Sequence, residues 1–242
     1  FLGAEDQLDQ KKLRRVFGPG HSFQGIVLVG EVARGFLDQL RSFGLRIVAV
    51  SARYSGLCHS VLGNEPQALE SLVGHLHGLG HRRFGWLGGN AGLGRHEARL
   101  GAMETALARV GVTLDERYVV KLKEGDRIDG ADAVRALLPL ATRKDFPTAF
   151  VAYNTLMASG AVREFERAGI PVPGRVSVAS ADVSPVATAS APRITAAGTD
   201  PEKLGEAAAR LVLDGGSDDT GSFTDLMLPA QLFIGDTSGS AR

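Results

Sequence analysis

Stretches of strand character alternate with amphipathic helical stretches along most of this chain, and that alternation limits the possible folds more than any other feature. "QGIVLVG" (24–30) is a short, continuous apolar run, and the following "EVARGFLDQLRSFG" places Val32, Phe36, Leu37 and Leu40 on one helical face. The same order recurs with the strands "LRIVAVS", "RRFGWLGG", "ERYVVKL" and "FPTAFVAY". Strands separated by helices of this length indicate parallel sheets with right-handed crossovers.

The last quarter of the chain interrupts this alternation. Strand "GRVSVAS" precedes an irregular "ADVSPVATASAP", and after the helix "DPEKLGEAAARLVLDGG" comes "TDLMLPAQLFIG", which has strand composition and no further helix. About ten strands are unusually many for one doubly wound sheet, so we predict two similar lobes. Glycine ends several predicted helices, at Gly44, Gly80, Gly111 and Gly169, as a left-handed C-terminal position requires.

The overall composition excludes several classes of protein. The 242 residues are 44% hydrophobic and carry 27 basic and 27 acidic side chains, which is typical of a globular domain. There is no excess of basic residues of the kind that binds nucleic acid. The single cysteine, Cys58, excludes an internal disulfide framework or a cysteine-cluster zinc site, and we expect it to be buried. No apolar run is long enough to span a membrane, and the N-terminal residues do not resemble a signal peptide, so we expect a cytoplasmic protein.

No pattern for a cofactor, a metal or a catalytic centre emerges from the motifs. "GGNAGLGRHEARLG" resembles a dinucleotide loop, but Glu97 stands where the third glycine belongs. His77 and His81 have a zinc-compatible spacing, but Gly78 and Gly80 lie between them, so a helix-end cluster in water is the better interpretation. No Gly-x-Ser-x-Gly motif or Ser-His-Asp set is found, and we predict that the protein is not an enzyme and needs no cofactor.

Four polar residues lie where a parallel sheet usually meets a ligand. Asn154 and Thr155 follow one predicted strand and Asp182 ends another, and the carboxyl ends of parallel strands border the crevice of such a fold. Arg99 lies in the first half of a helix and offers a forked donor for hydroxyls or a carboxylate. The alternatives are a helix cap at Asn154 and Thr155, a turn aspartate at Asp182 and a solvated surface arginine at Arg99.

Several segments together resemble the effector-binding core of LacI-type bacterial transcription regulators, a fold shared with periplasmic sugar-binding proteins. They are "HLHGLGHRRFGWLGG", "RLGAMETALARVG", "PTAFVAYNTLMASGAVREFERAGIPVPGRVSVASAD" and "PRITAAGTDPEKLGEAAARLVLDG", in the family's order and spacing. The resemblance runs from about 24 to 234. It implies an α/β fold of two doubly wound parallel-sheet lobes, joined by three crossovers, with an effector in the cleft between them.

The resemblance also implies domain limits and a function. The N-terminal lobe would comprise 1–88 plus 199–224, and the C-terminal lobe 89–198 plus 225–242. Binding of a small, sugar-like effector would control operator DNA binding by an N-terminal helix-turn-helix domain that we do not find in this chain, in a homodimer without membrane contact. The family's opening strand and helix are also not found, so we expect a fragment. The alternative function is a periplasmic solute-binding protein that delivers a sugar-like ligand to a transporter or receptor.

Residue by residue, the resemblance implies ligand-binding roles for Arg99, Asn154 and Asp182. We also predict that Thr155, Ser51 and Arg127 bind the ligand, although these positions depart from the family's pattern. Thr155 replaces an aspartate, Ser51 stands at a strand end where an aspartate is common, and Asn64 and Glu65 replace an "Asp-Asn" pair. Arg127 falls where an aromatic ring often stacks on the ligand. Fewer carboxylates and an added arginine favour an effector that is more anionic than a neutral sugar, such as a sugar acid or a phosphorylated sugar.

Overall fold

The computed structural model describes residues 9–18, 23–213 and 222–241. The chain divides into two compact units. Unit 1 comprises Phe1–Gly63 and Glu202–Leu228, and unit 2 comprises Asn64–Pro201 and Pro229–Arg242. The backbone therefore passes from one unit to the other three times, as the resemblance implied.

Unit 1 contains a parallel sheet with helices on both faces. Its strands lie in the order β1 (Gly25–Val29), β2 (Arg46–Val50), β3 (His59–Gly63) and β9 (Asp225–Leu228), and each neighbouring pair is parallel. Its helices are α1 (Gln10–Phe17), α2 (Arg34–Arg41) and α8 (Pro201–Leu213).

Alternating side chains of the unit 1 strands serve two separate cores, because successive strand residues point to opposite faces. Ile26 and Ile47 pack with α1 and α2, whereas Val48 and Val61 pack with Leu204 on α8. Buried Cys58 belongs to the first core, as expected for a lone cysteine, and burial raises the pKa of its thiol.

Unit 2 contains a larger, six-stranded sheet. Its order is β10 (Gln231–Phe233), β8 (Thr195–Gly198), β7 (Ser177–Ser180), β6 (Ala149–Ala152), β4 (Phe84–Gly88) and β5 (Val119–Lys121). All pairs are parallel except β10 with β8. The helices are α3 (Glu65–Gly78), α4 (Gly94–Arg109), α5 (Arg127–Leu137), α6 (Thr155–Arg167) and α7 (Pro185–Ala189), with short 3-10 helices at Glu116–Tyr118 and Leu138–Leu140.

The structure confirms the α/β class and the parallel sheets and corrects several details. The observed boundary falls at Gly63 rather than at 88, because β4 pairs with β5 and β6 in the sheet of unit 2. Strand β3 was not predicted. The segment "TDLMLPAQLFIG" forms two strands in different units, with β9 parallel to β3 and β10 antiparallel to β8. The segment predicted to be irregular contains α7. No described helix has the length and apolar character needed to cross a membrane.

Glycine permits two features of the helices. Gly44, Gly80, Gly111 and Gly169 have φ between 69° and 96°, which confirms their predicted left-handed positions after helices. Gly130 on α5 and Gly160 on α6 allow these helices to touch through their backbones. A side chain at Gly130 would overlap the Met157 carbonyl group, and one at Gly160 would overlap the Arg127 carbonyl oxygen. The first turns of α5 and α6 are therefore held in close contact.

A buried histidine anchors the last residues of the described chain to unit 2. His81 was expected at a helix end in water, but it is 1% exposed. Its Nδ1 lies 2.9 Å from Thr148 Oγ1, and its Nε2 lies 2.9 Å from the Gly239 carbonyl oxygen. Burial lowers its pKa, although the Gly239 carbonyl acts in the opposite direction. His81 is therefore a structural residue that packs as a neutral ring.

Candidate functional site

The carboxyl ends of three parallel strands of unit 2 lie at one edge of the sheet. Leu87 of β4 pairs with Ala152 of β6, and Ala152 pairs with Ser180 of β7. The segments that follow these strands therefore begin side by side. They carry His96 and Arg99, Tyr153 to Thr155, and Asp182, so the predicted strand-end grouping is present within unit 2.

Arg99 is the central residue of this group. It lies in the second turn of α4 and is only 2% exposed. Its Nε donates to Glu65 Oε2 over 3.1 Å, and its Nη1 donates to the Tyr153 carbonyl oxygen over 2.6 Å and lies 3.8 Å from Asp182 Oδ2. Burial alone would lower the pKa of Arg99, but the carboxylates of Glu65 and Asp182 outweigh it and raise that pKa. Arg99 is therefore a buried, paired cation rather than a solvated surface arginine.

Glu65 is a member of the group that the sequence interpretation missed. It is the first residue of α3, and its carboxylate accepts hydrogen bonds from Arg99 Nε and, over 3.1 Å, from Arg95 Nε. The side chains of Glu65 and Arg95 are 15% and 32% exposed. The signal in the sequence is the unusual "Asn-Glu" pair at 64–65, which departs from the family's pattern. We call Glu65, Arg95, Arg99, Tyr153 and Asp182 the Arg99 cluster.

One carboxylate oxygen of Asp182 faces Arg99, and the other accepts a hydrogen bond from the backbone of α6. Its Oδ1 accepts from the Thr155 amide over 2.9 Å and from Ser180 Oγ over 3.1 Å, while Oδ2 faces Arg99. Its side chain remains 26% exposed. The hydrogen bond from the Thr155 amide places this carboxylate at the beginning of α6, where the helix dipole also favours a negative charge. Asp182 is thus held in place and still has exposed surface.

Asn154 and Thr155 mainly organise the start of α6. Asn154, not Thr155, is the N-cap: its Oδ1 accepts from the Met157 amide over 2.9 Å, and its Nδ2 donates to the Gly125 carbonyl oxygen over 2.7 Å. Thr155 is 2% exposed, and its hydroxyl contacts Ser184 Oγ. The alternative of a helix cap at Asn154 and Thr155 therefore holds for Asn154 and not for Thr155.

An aromatic layer lies beneath Arg99. The guanidinium carbon of Arg99 lies 4.8 Å from the centre of the Tyr153 ring. The imidazole ring of His96 stacks on the Tyr153 ring, with 5.9 Å between the ring centres. His96 Nδ1 lies 2.7 Å from the Gly89 carbonyl oxygen, so it carries the proton that it donates. The layer fixes the orientation of Arg99 through ring contacts and a cation–π interaction.

The two remaining predicted residues lie elsewhere. Arg127 is the first residue of α5 and lines a groove beside α6 and α7 that Arg99 and Asp182 do not line. Ser51 belongs to unit 1, follows β2, and has a left-handed φ of 62°. In the described part of the chain, no group of three His, Cys, Asp or Glu side chains could hold a metal ion.

Comparisons with known proteins agree with this architecture. The family model described as a periplasmic binding protein-like domain matches residues 73–238. The repressor PurR of Photobacterium profundum is 27% identical over 191 residues, which cover 78% of this chain and 56% of that protein. The regulator GalR of Escherichia coli is 30% identical over 171 residues, covering 71% and 43%. The chain thus spans about half the length of the curated relatives it matches.

A solved structure gives the same result in three dimensions. The transcriptional regulator CelR, determined as a complex with cellobiose, aligns with a TM-score of 0.80 and 25% identity, covering 94% of this chain and 69% of that one. The family match covers well over half of the chain, and the parallel sheets fit it. The chain therefore belongs to the periplasmic binding protein-like family, as an effector-binding core of the LacI/GalR type.

Proposed function

We propose that this chain is the sensing part of a transcription regulator and that it binds a small, sugar-like effector at the Arg99 cluster. The single observation that carries this proposal is the pairing of two guanidinium groups with two carboxylates at the strand ends of unit 2. The names of the curated relatives, which are helix-turn-helix-type regulators, favour a regulator over a transport protein.

The exposed atoms of the cluster suit a ligand with several hydroxyl groups. Arg99 has almost no exposed surface, but Arg95, Asp182 and Glu65 keep part of theirs. A hydroxyl group can donate to a carboxylate and accept from a guanidinium at the same time. The buried Arg99 fixes both carboxylates in position, so the ligand would meet a preformed set of acceptors.

The charge of the cluster favours a neutral ligand over an anion. Two arginines face two carboxylates, so the cluster has no net charge to offer a phosphate or a carboxylate. The expected preference for an anionic effector rested on fewer carboxylates and on Arg127, and Arg127 lines a groove that Arg99 and Asp182 do not line. We therefore propose a neutral polyhydroxylated effector and keep its acid and phosphate forms as the test of that choice.

The remaining parts of the proposal concern the complete regulator. We propose that effector binding alters operator binding through a helix-turn-helix domain of the kind named in the relatives, that the protein acts as a homodimer, and that it works in the cytoplasm. A ligand can change operator affinity only by the difference in its affinity for the two functional states.

Calorimetry on the purified protein tests ligand and site together. We expect a neutral sugar from a panel including cellobiose and ribose to bind more tightly than its acid or phosphate form. Asp182→Asn should weaken that binding at least about tenfold, since it removes a charged acceptor. Asp132→Asn, an exposed aspartate on α5 paired with Arg135, is the control and should change nothing. Unchanged affinity in Asp182→Asn, or tighter binding of the anionic forms, contradicts the proposal.

A further inference from the structure

The end of unit 2 opposite the Arg99 cluster carries a row of arginines. Five parallel strands, β5, β4, β6, β7 and β8, begin at that end of the sheet. An arginine stands two residues before the start of four of them: Arg117 before β5, Arg82 before β4, Arg175 before β7 and Arg193 before β8. We call the segments that lead into the five strands, 80–83, 114–118, 141–148, 171–176 and 190–194, the basal edge.

The basal edge has an excess of positive charge, although the whole chain is balanced at 27 basic and 27 acidic residues. Its segments contain seven basic and only three acidic side chains, and all seven basic ones are exposed. The positive charge is therefore concentrated at this end of unit 2. The basic residues are Arg82, Arg83, Arg117, Arg143, Lys144, Arg175 and Arg193, and the acidic residues are Asp115, Glu116 and Asp145.

Ion pairs neutralise only part of this charge. Arg117 and Arg143 share Asp145, and Arg117 also binds Asp115. Arg193 pairs with Asp236, which lies outside the basal edge. The remaining excess lies on the basic residues that pair with no carboxylate in the described ranges, namely Arg82, Arg83, Lys144 and Arg175.

Carbonyl oxygens of the segment before β6 hold two of these side chains in place. Arg83 Nε donates to the Phe146 carbonyl oxygen over 3.0 Å, and Arg175 Nη2 donates to the Ala141 carbonyl oxygen. Lys144 lies between these two acceptors in the chain. A carbonyl group fixes a guanidinium without neutralising its charge, and a guanidinium has five N–H donors, so most of them still face solvent. Three cations therefore gather around one short segment.

We propose that the basal edge is a docking surface for an acidic segment of a partner protein. Carboxylates of that segment bind the remaining donors of Arg83 and Arg175, and Lys144 adds a third positive charge. A planar guanidinium matches a carboxylate with two parallel hydrogen bonds, and a side chain that is already held loses less entropy on binding. This surface lies at the opposite end of the strands from the Arg99 cluster, so the partner does not compete with an effector there.

The distribution of charges favours a protein segment over nucleic acid. Asp115 and Asp145 lie among the cations, and they would repel a phosphate backbone, which carries a charge at every nucleotide. The basic residues are six arginines and one lysine, and protein–protein interfaces are enriched in arginine and depleted in lysine. A protein segment can carry its carboxylates only where they meet the cations.

Binding of a polyglutamate peptide of about ten residues to the full chain tests this assignment. Anisotropy of a dye on the peptide is followed at about 0.15 M salt, where exposed charges more than about 8 Å apart are largely screened. Replacing both Arg83 and Arg175 by glutamine should weaken binding at least about tenfold, and Lys144→Gln about two- to fivefold. Replacing Arg14 and Arg15 by glutamine removes two charges from exposed positions on α1 and should leave the affinity unchanged.

A variant that keeps the charge separates docking from folding. Replacing Arg83 and Arg175 by lysine should retain more affinity than the glutamine pair, because only the forked geometry is lost. A lysine pair as weak as the glutamine pair, with an unchanged affinity in Lys144→Gln, would show that the two arginines only support the fold.

The other contrary results also overturn the proposal. An equal loss in the Arg14 and Arg15 variant would indicate unspecific attraction by charge. Tighter binding of a DNA duplex of about 20 base pairs, with the same dependence on Arg83 and Arg175, would make the basal edge a nucleic-acid surface. A doubled mass by sedimentation that Lys144→Gln abolishes would show that a second copy covers it. No binding of the peptide to the wild type would refute the proposal outright.

Discussion

Replacing Glu65 by glutamine tests whether the Arg99 cluster is a buried ion-pair network. The change keeps the size of the side chain and removes the charge that faces Arg99 at 3.1 Å. At an effective dielectric constant of about 20, that attraction contributes about 5 kcal/mol. The variant no longer has the desolvation cost of burying the Glu65 carboxylate, and this offsets part of the loss. Breaking a buried pair from one side costs about 3–5 kcal/mol, and since Asp182 still faces Arg99, we expect the loss to be about 3 kcal/mol.

The chain offers a matched control for this change. Glu70 lies on the same helix as Glu65 and pairs with Arg109 of α4 over 2.7 Å, but its side chain is 58% exposed and that of Arg109 is 60% exposed. Glu70→Gln should therefore cost below about 1 kcal/mol, as exposed pairs do. The two variants differ in burial and not in chemistry.

Urea unfolding followed by tryptophan fluorescence gives the measurement. Trp86 is the single tryptophan of the sequence, is fully buried, and lies in β4, so its signal reports on unit 2. Glu65→Gln should shift the midpoint to lower urea by several times the shift of Glu70→Gln. Equal midpoints for the two variants would refute the reasoning, because Arg99 would then not depend on its buried partner.

Two further variants test the fold around the sites. Gly160→Ala places a methyl group against the Arg127 carbonyl oxygen and should destabilise unit 2 by at least about 1–3 kcal/mol. Gly101 on α4 has open space around it, so Gly101→Ala should stabilise unit 2 by up to about 1 kcal/mol. Urea midpoints of the two variants that move in the same direction would contradict this. Burial lowers the pKa of His81 below 6.5, so the unfolded chain gains a proton that the folded chain does not, and stability should fall as pH drops below 6.5. His81→Gln should flatten that decrease in urea midpoints measured between about pH 5 and 8, and an unchanged slope would exclude His81 as its cause.

Local pattern predicts helices α2 to α6, helix α8 and most strands of this protein, because each has a regular apolar period, but it predicts neither α1 nor α7. It fails where the period is short or mixed. Strand β3 begins with His59 and Ser60, which are both buried, so its sequence lacks the apolar run that marks the other strands. The two strands of "TDLMLPAQLFIG" have similar composition, and their assignment to different sheets depends on partners far away in the chain.

The sequence predicts where the candidate site lies better than it predicts the contacts within the site. Arg99 and Asp182 meet as expected, because both follow parallel strands that end at one edge. The hydrogen bond from Arg99 to Glu65 joins residues 34 apart. The unusual pair at 64–65 marks the position of Glu65, but no local pattern identifies Arg99 as its partner. The position of Arg127 likewise depends on a contact between distant residues, because its carbonyl oxygen lies against Gly160 of α6. Sequence alone could not choose between Asn154 and Thr155 as the N-cap of α6, since asparagine and threonine both suit that position.

The three passages of the chain between the units affect how it can fold during synthesis. Strand β3 ends at Gly63 and pairs on one side with β9, which begins at Asp225, so roughly 160 further residues must be made before that side is covered. At about 5–20 residues per second, the ribosome needs about 8–32 s for this. During that time the backbone groups of β3 on that side lack their native partner, while most of unit 2 is already complete. Unit 2 is therefore expected to fold first, although unit 1 contains the N-terminal residues.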